Sequence, residues 1–156
     1  MDKIDPLNQV ARFHQTFQHP ILNEPEIPSK QRCDLRVSLI AEELQELKEA
    51  IAERDMVEIA DALCDIQYVL SGAILEFGLG EKFPALFNEV QKSNMSKACE
   101  SEEEALATVA HYKEKKDTHC YYREVSGKYL VFREGDDKTL KSIKYSPANL
   151  SPILNS

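Results

Sequence analysis

The feature that most constrains this chain is a run of acids threaded through helix-forming sequence. Between residues 42 and 65 stand Glu42, Glu43, Glu46, Glu49, Glu53, Asp55, Glu58, Asp61 and Asp65 against only Lys48 and Arg54, so −7 of the formal net charge of −8 falls in this stretch. Apolar residues keep helical spacing through it. From Lys30 to Glu53, Val37, Ile40, Leu44, Leu47 and Ile51 recur at i, i+3 and i+4 and predict one buried helix face. Asp55 then predicts an N-cap, and Met56 to Phe77 predicts a further helix, stopped by Gly78 and apolar on nearly every side from Ala60 to Leu75. The two helices form a tight antiparallel hairpin turning at Arg54-Asp55.

At about 100° per residue, Glu42, Glu43 and Glu46 span about 100° of the first helix, on a flank about a quarter-turn or more from its apolar stripe. On the second helix Glu58, Asp61 and Asp65 fall within about 60° of one another, and Tyr68 and Gly72 continue their line. Two acidic edges therefore face each other across the hairpin. Carboxylates gathered this way repel unless a divalent cation sits among them or some hold protons. Glu49 and Glu53 read as a solvated face. Asp61 and Asp65 do not, because they lie beside Ala62, Leu63, Cys64 and Ile66, where an unpaired charge costs several kcal/mol. Oxygen ligands without a nearby Cys or His favour a hard ion, Mg²⁺ or Mn²⁺, and Mg²⁺ held by a few carboxylates completes its octahedron with water and substrate phosphates. Phosphate chemistry is the first expectation.

The rest of the chain frames this hairpin. Asp5-Pro6 opens a first helix with Leu7, Val10, Phe13 and Phe17 on one face, and His19-Pro20 ends it. Phe13, His14 and Phe17 fit either core packing or contact with a base. Phe83 to Met95 and Glu102 to Lys115 predict two more helices, the latter opened by Ser101. Residues 119–125, 128–134 and 138–145 are short aromatic and β-branched runs separated by Ser126-Gly127 and Gly135-Asp136-Asp137, and predict a small β-meander. The expected organisation is mainly α, a helical domain over 1–116 followed by a β-meander appendage over 117–156. With Lys138, Lys141 and Lys144 on one strand beside Tyr145, the appendage reads as a structural cover. The Ala60, Cys64, Ser71 and Leu75 stripe of the apolar helix needs a second neighbour, so the bundle is expected to be completed by homo-oligomerisation.

Several classes fall away. The acidic balance argues against binding nucleic acid or an anionic membrane through a broad basic face. Cys33, Cys64, Cys99 and Cys120 have no C-x-x-C spacing and read as reduced thiols rather than zinc ligands. There is no P-loop and no E-x-x-H pair of a di-iron bundle. Asp2 and Asp5 stand where a signal peptide carries positive charge, which reads as a cytoplasmic protein.

The motifs resemble those of the all-α nucleoside triphosphate pyrophosphohydrolases, the MazG-like superfamily that includes dimeric dUTPases and phosphoribosyl-ATP pyrophosphohydrolases. Glu42-Glu43-Leu44-Gln45-Glu46 resembles that family's E-E-x-x-E, and EIADALCDIQYVLSGA resembles its second acidic helix with the apolar run that follows. KSNMSK, with Lys92, Asn94 and Lys97, is similar to its phosphate-contacting segment. The resemblance covers about residues 5–100 and leaves the β-meander outside. It implies a mostly helical homodimer or homotetramer that cleaves nucleoside triphosphates between the α- and β-phosphates. It further implies that Glu43 and Glu46 bind Mg²⁺ together with acids of the second helix, and that Glu42 orients or deprotonates the attacking water. The other reading is a non-enzymatic metal- or nucleotide-sensing module on the same hairpin.

Helix rise sets an expectation for the second-helix ligands. Glu46 and Glu43 lie about 13 and 17 Å from the turn, Asp61 and Asp65 about 10 and 16 Å, and Glu58 only about 5 Å. Asp61 and Asp65 are level with their partners, whereas Glu58 reaches the site through water or serves a second ion. Tyr68 continues the line as a packing or substrate-contacting residue. Lys92, Asn94 and Lys97 supply donors for outer phosphates, or a basic helix end favoured by the macrodipole.

Overall fold

The computed structural model describes residues 4–156, which form two compact units, one ending at Phe83 and the other running from Pro84 to Ser156. The first holds α1 (Pro6–Phe17), α2 (Lys30–Glu53) and α3 (Met56–Glu76). Their ends follow from local chemistry. The Asp5 carboxylate accepts from Asn8 N–H at 3.2 Å and Ser29 Oγ from Arg32 N–H at 3.4 Å, each satisfying a donor that the first helical turn leaves free. Arg54 closes α2 in the left-handed conformation, and the Asp55 side chain accepts from Val57 and Glu58 N–H at 2.9 and 3.2 Å to start α3.

The proline-rich segment between α1 and α2 runs along the C-terminal end of α3, where Leu22 N–H donates to Leu75 O and Glu26 N–H to Phe77 O, both at 3.1 Å. Leu75 O also accepts from Gly78 N–H at 3.1 Å, so the connection gives it a second donor and gives Phe77 O, just past the helix, a donor of its own. Gly78 is required at this crossing, because it sits at φ +67° and a Cβ there would stand 1.8 Å from Glu24 O.

The apolar stripe expected to be buried on α2 is not the face that meets α3. Val37, Leu44 and Ile51 are 69%, 45% and 55% exposed, whereas Arg36 and Ala50 are buried and Ile40, Glu43 and Leu47 half-buried. Residues 36, 40, 43, 47 and 50 fall within about 80° of one another and form the inward line, while 37, 44 and 51 form a heptad line beside it. Glu43 thus lies on the covered face rather than on a flank. On α3 the expected outer stripe is split. Ser71 and Leu75 are buried within the chain while Ala60 and Cys64 are exposed, and outside that stripe Leu63 and Leu70 are exposed as well.

The second unit contains α4 (Phe83–Met95), which begins at the last residue of the first, then α5 (Glu102–Lys116), β1 (Cys120–Val125), β2 (Lys128–Arg133) and a short α6 (Ser151–Leu154). β1 and β2 pair antiparallel from Cys120 with Arg133 to Val125 with Lys128, around Ser126 (φ 52°) and Gly127 (φ 76°), the paired positive values of a tight hairpin turn. Cys99, Ala105, Val131 and Leu140 form its core. α5 packs on this hairpin and shares its compact unit, which begins at Pro84.

The third run of the expected meander does not become a strand. After the Phe132–Thr139 bridge, Lys141 N–H donates to Tyr112 Oη at 3.3 Å and Ile143 N–H to Thr108 Oγ1 at 3.2 Å. Side chains of α5 take the donors that a third ladder would need. All four cysteines are free, and among the described residues no helix is long and apolar enough to cross a membrane.

Candidate functional site

The α2–α3 hairpin brings five of the six expected metal-site and catalytic acids within electrostatic reach of one another. Glu43 is the focus. Its carboxyl is pushed above the ordinary value first by burial and then by the charges of Glu46, Asp65, Glu42 and Asp61. Glu58 is not among those charges; it is exposed on the first turn of α3. The level-matching of Asp61 and Asp65 with Glu43 and Glu46 agrees with this pattern.

Glu43 and Asp65 are half-buried, while Glu42, Glu46 and Asp61 are exposed. Among the described residues none of the five has a hydrogen-bond or ion-pair partner, whereas the neighbouring Glu49 accepts from Gln45 Nε2 at 2.8 Å. Nor do any three Asp, Glu, His or Cys side chains among the described residues converge closely enough to enclose an ion. The donor set itself fits a hard divalent cation: it is all oxygen, free of competing partners, and self-repelling in a way that a cation relieves.

The expected base-contacting residues lie around a neighbouring cavity of about 240 Å³, lined by Val10, Phe13, His14, His19, Arg36 and Tyr68 among others. Tyr68 meets Phe13 edge-on, with centroids 5.5 Å apart, and His19 stacks on Phe13 at 5.7 Å. Phe17 packs on Phe13 at 4.4 Å but does not line the cavity, and it is 60% exposed. His14 is 2% exposed and both its ring nitrogens are engaged. A carbonyl can only accept and a guanidinium can only donate. Nδ1–H therefore donates to Pro20 O at 2.9 Å, and Nε2 accepts from Arg36 at 3.3 Å. Burial lowers the His14 pKa and keeps this neutral tautomer.

Arg36 belongs to a buried network that periodicity gave no reason to expect. Glu76, 1% exposed near the end of α3, accepts from Arg36 and from both forks of Arg32, the Arg32 Nε contact measuring 3.1 Å. Burial alone would raise the Glu76 carboxyl, but the bonds to Arg36 and Arg32 outweigh it and hold the group below its ordinary value. Gly72 leaves space for the guanidinium, since a Cβ there would lie 2.7 Å from Arg36 Nη1 and 3.0 Å from His14 Nε2. Arg36 Nε remains buried without a partner among the described residues. The available signal in the sequence was an isolated acid, Glu76, in an apolar helix, with two arginines four apart on α2.

Lys92, Asn94 and Lys97 belong to the second unit, on and just beyond the last turn of α4. Lys97 Nζ donates to Asn94 Oδ1 at 2.8 Å, and Lys92 lies 3.8 Å from Glu89.

A helical hairpin with carboxylates on both facing helices defines the chain as a pyrophosphohydrolase-type protein of the all-α superfamily. More narrowly, it belongs to the phosphoribosyl-ATP pyrophosphohydrolase family, whose pattern matches residues 10–94, from within α1 to the penultimate residue of α4. It is also similar to an uncharacterised protein of Acanthamoeba polyphaga mimivirus, 32% identical over 104 residues, an overlap of 62% of this chain and only 40% of that relative's length.

Proposed function

We propose that the chain is a divalent-metal-dependent hydrolase that cleaves a nucleoside triphosphate between its α- and β-phosphates, releasing the monophosphate and pyrophosphate, in the service of clearing surplus or noncanonical nucleotides. The observation that carries this reading is the field of Glu42, Glu46, Asp61 and Asp65 meeting at Glu43 in a chain of this family. Glu43, Glu46, Asp61 and Asp65 would hold Mg²⁺, with Mn²⁺ as a substitute. When bound, the ion neutralises phosphate charge and stabilises the leaving pyrophosphate. Glu42, exposed and without a partner among the described residues, takes the proton of the attacking water. Phe13, Tyr68 and His19 offer aromatic faces for the base, with His14 orienting the cavity wall from behind. On the second unit, Lys97 and Asn94 offer an ammonium and an amide to phosphate oxygens.

Self-association belongs to this reading. The exposed band of Val37, Leu44 and Ile51 on α2 and Leu63 and Leu70 on α3 is a larger apolar face than a solvated hairpin needs, and a second copy covers it as a homodimer or homotetramer. The name of the family favours one second reading, a phosphoribosyl-nucleotide substrate cleaved at the same anhydride.

The deciding experiment is pyrophosphate release from a panel of nucleoside triphosphates and phosphoribosyl-ATP, with Mg²⁺ and with EDTA, on material sized by light scattering. Turnover by a dimer or tetramer, abolished by EDTA, is expected. Release from phosphoribosyl-ATP alone selects the second reading, and no release from any substrate makes the hairpin a sensing module.

The ligand assignment is tested separately by Mn²⁺ titration calorimetry. Asp65→Asn is expected to weaken binding by about tenfold or more, and Glu58→Gln by no more than about twofold. The reverse order would make Glu58 the ligand and shift the register of the site by a helical turn.

A further inference from the structure

The C-terminal segment lies outside the family match, yet it is tied to the end of α4 at three points. Ser142 N–H donates to Lys97 O at 3.0 Å, Ser93 Oγ to Tyr145 Oη at 3.2 Å, and Ser146 N–H to Ser96 Oγ at 3.0 Å. Tyr145 is therefore fixed at the helix end that carries Asn94 and Lys97. Lys141 Nζ stands 4.0 Å from the centroid of the Tyr145 ring. A cleft of about 340 Å³ opens here, lined by His111, Tyr112, Lys141, Ser142, Ile143 and Tyr145.

The charges at this place are unbalanced. Lys92, Lys128 and Lys144 pair with Glu89, Glu100 and Glu104, whereas among the described residues Lys97 and Lys141 are in no ion pair. Glu104 is already taken by Ser142 and Lys144. The Tyr145 phenol is held below its usual range by the Ser93 donor, with the Lys141 charge, a hydrogen bond from Lys141 and the Lys97 charge acting in the same direction. Because its oxygen accepts from Ser93, its own proton remains available to an acceptor in the cleft. Two unpaired ammonium groups, a phenol and the Asn94 amide make a donor set suited to an oxyanion of high charge density.

We propose that Lys141 and Tyr145 form, with Lys97 and Asn94, a binding site of the second unit for pyrophosphate or another polyphosphate. The proposal rests on the reading of the α4 end as phosphate-gripping and assigns to the C-terminal segment a binding role in place of a purely structural one. Both lysines act as point charges, and Tyr145 fixes the orientation of one phosphate oxygen.

The test is titration calorimetry of the full chain with inorganic pyrophosphate in EDTA, alongside thermal unfolding of each variant. Lys141→Met and Tyr145→Phe are each expected to weaken pyrophosphate by about tenfold. Lys141→Arg, which keeps the charge, and Lys138→Met, on the same segment, are expected to leave it unchanged. Full affinity in Lys141→Met and Tyr145→Phe, with a loss in Lys97→Met, overturns the site and leaves the proposed function standing. Full affinity in all three, or no binding by the unaltered chain, overturns the site and the phosphate-gripping reading of α4 together.

Discussion

Glu76→Gln is expected to lower the stability of the folded chain by about 3–5 kcal/mol, the range for breaking a buried charge pair from one side. Urea unfolding at pH 7 measures it. The amide keeps the shape of the carboxyl but removes the charge that compensates Arg32 and Arg36. Their fates differ, because the Arg32 side chain is 30% exposed and can turn to water, whereas that of Arg36 is 9% exposed. Arg36 also has its Nε buried without a partner among the described residues, so little remains to solvate it. Arg32→Gln should accordingly cost much less than Glu76→Gln. Equal, small losses for both would mean that water already reaches Glu76.

The network also gives the stability a sign in pH. The Glu76 carboxyl lies below its ordinary value, so its contribution is present above the unfolded carboxylate range and is lost as pH falls through the folded value. His14, lowered by burial, adds to acid sensitivity, since its protonation in the unfolded chain begins near pH 6.5. Glu43 acts oppositely. Its raised carboxyl means that ionisation opposes folding, and acidification through its folded value relieves that strain. A divalent cation relieves the same repulsion at neutral pH.

Much of the helical frame was legible because its punctuation is local. Lys30 to Glu53 and Phe83 to Met95 begin and end where the sequence put them, and Asp5, Asp55 and Ser101 cap the helices they were expected to open, as Ser29 also does for α2. The buried face of α2 was not legible, for a physical reason. A 24-residue helix with apolar residues on two adjacent lines has two candidate interiors, and only contact with α3 selects the line of Arg36, Ile40, Glu43, Leu47 and Ala50. The heptad line of Val37, Leu44 and Ile51 is the more apolar of the two and stays exposed.

Long-range charge pairing hides in the same way. Arg32 and Arg36 read as solvated charges until α3 returns with Glu76, and the pairing spans 40 or more positions. The third β run misled because its apolar and β-branched residues satisfy a strand pattern, while Thr108 and Tyr112 of α5 compete for its backbone donors. Of the site, the acids stand in the sequence, and helix rise sets Asp61 and Asp65, not Glu58, level with Glu43 and Glu46. The half-burial of Glu43, the first cause of its raised carboxyl, is set by contact with α3 and has no signature in the periodicity.

Glu42→Gln is expected to reduce turnover by about 10²- to 10⁴-fold, the span of a lost general base, while Mg²⁺ affinity and substrate KM stay near their original values. The split follows from where Glu42 stands. It is exposed and has no hydrogen-bond or ion-pair partner among the described residues, and the proposed role sets it beside the ion. A group beside the ion, and not holding it, matters only when a proton leaves the attacking water, which makes its loss a transition-state loss. Glu43→Gln should behave differently and weaken Mg²⁺ binding, because it lies on the covered line of α2 where the other charges meet. Glu49→Gln is the control for a general loss of acidic surface, since Glu49 is exposed and bonded to Gln45, and its activity should not change. Calorimetry of Mg²⁺ beside single-turnover kinetics separates these outcomes. If Glu42→Gln loses metal affinity as fully as Glu43→Gln, Glu42 is a ligand, and the proton must then pass to a different carboxylate, for which Glu46 and Asp61 are the exposed candidates within the same field.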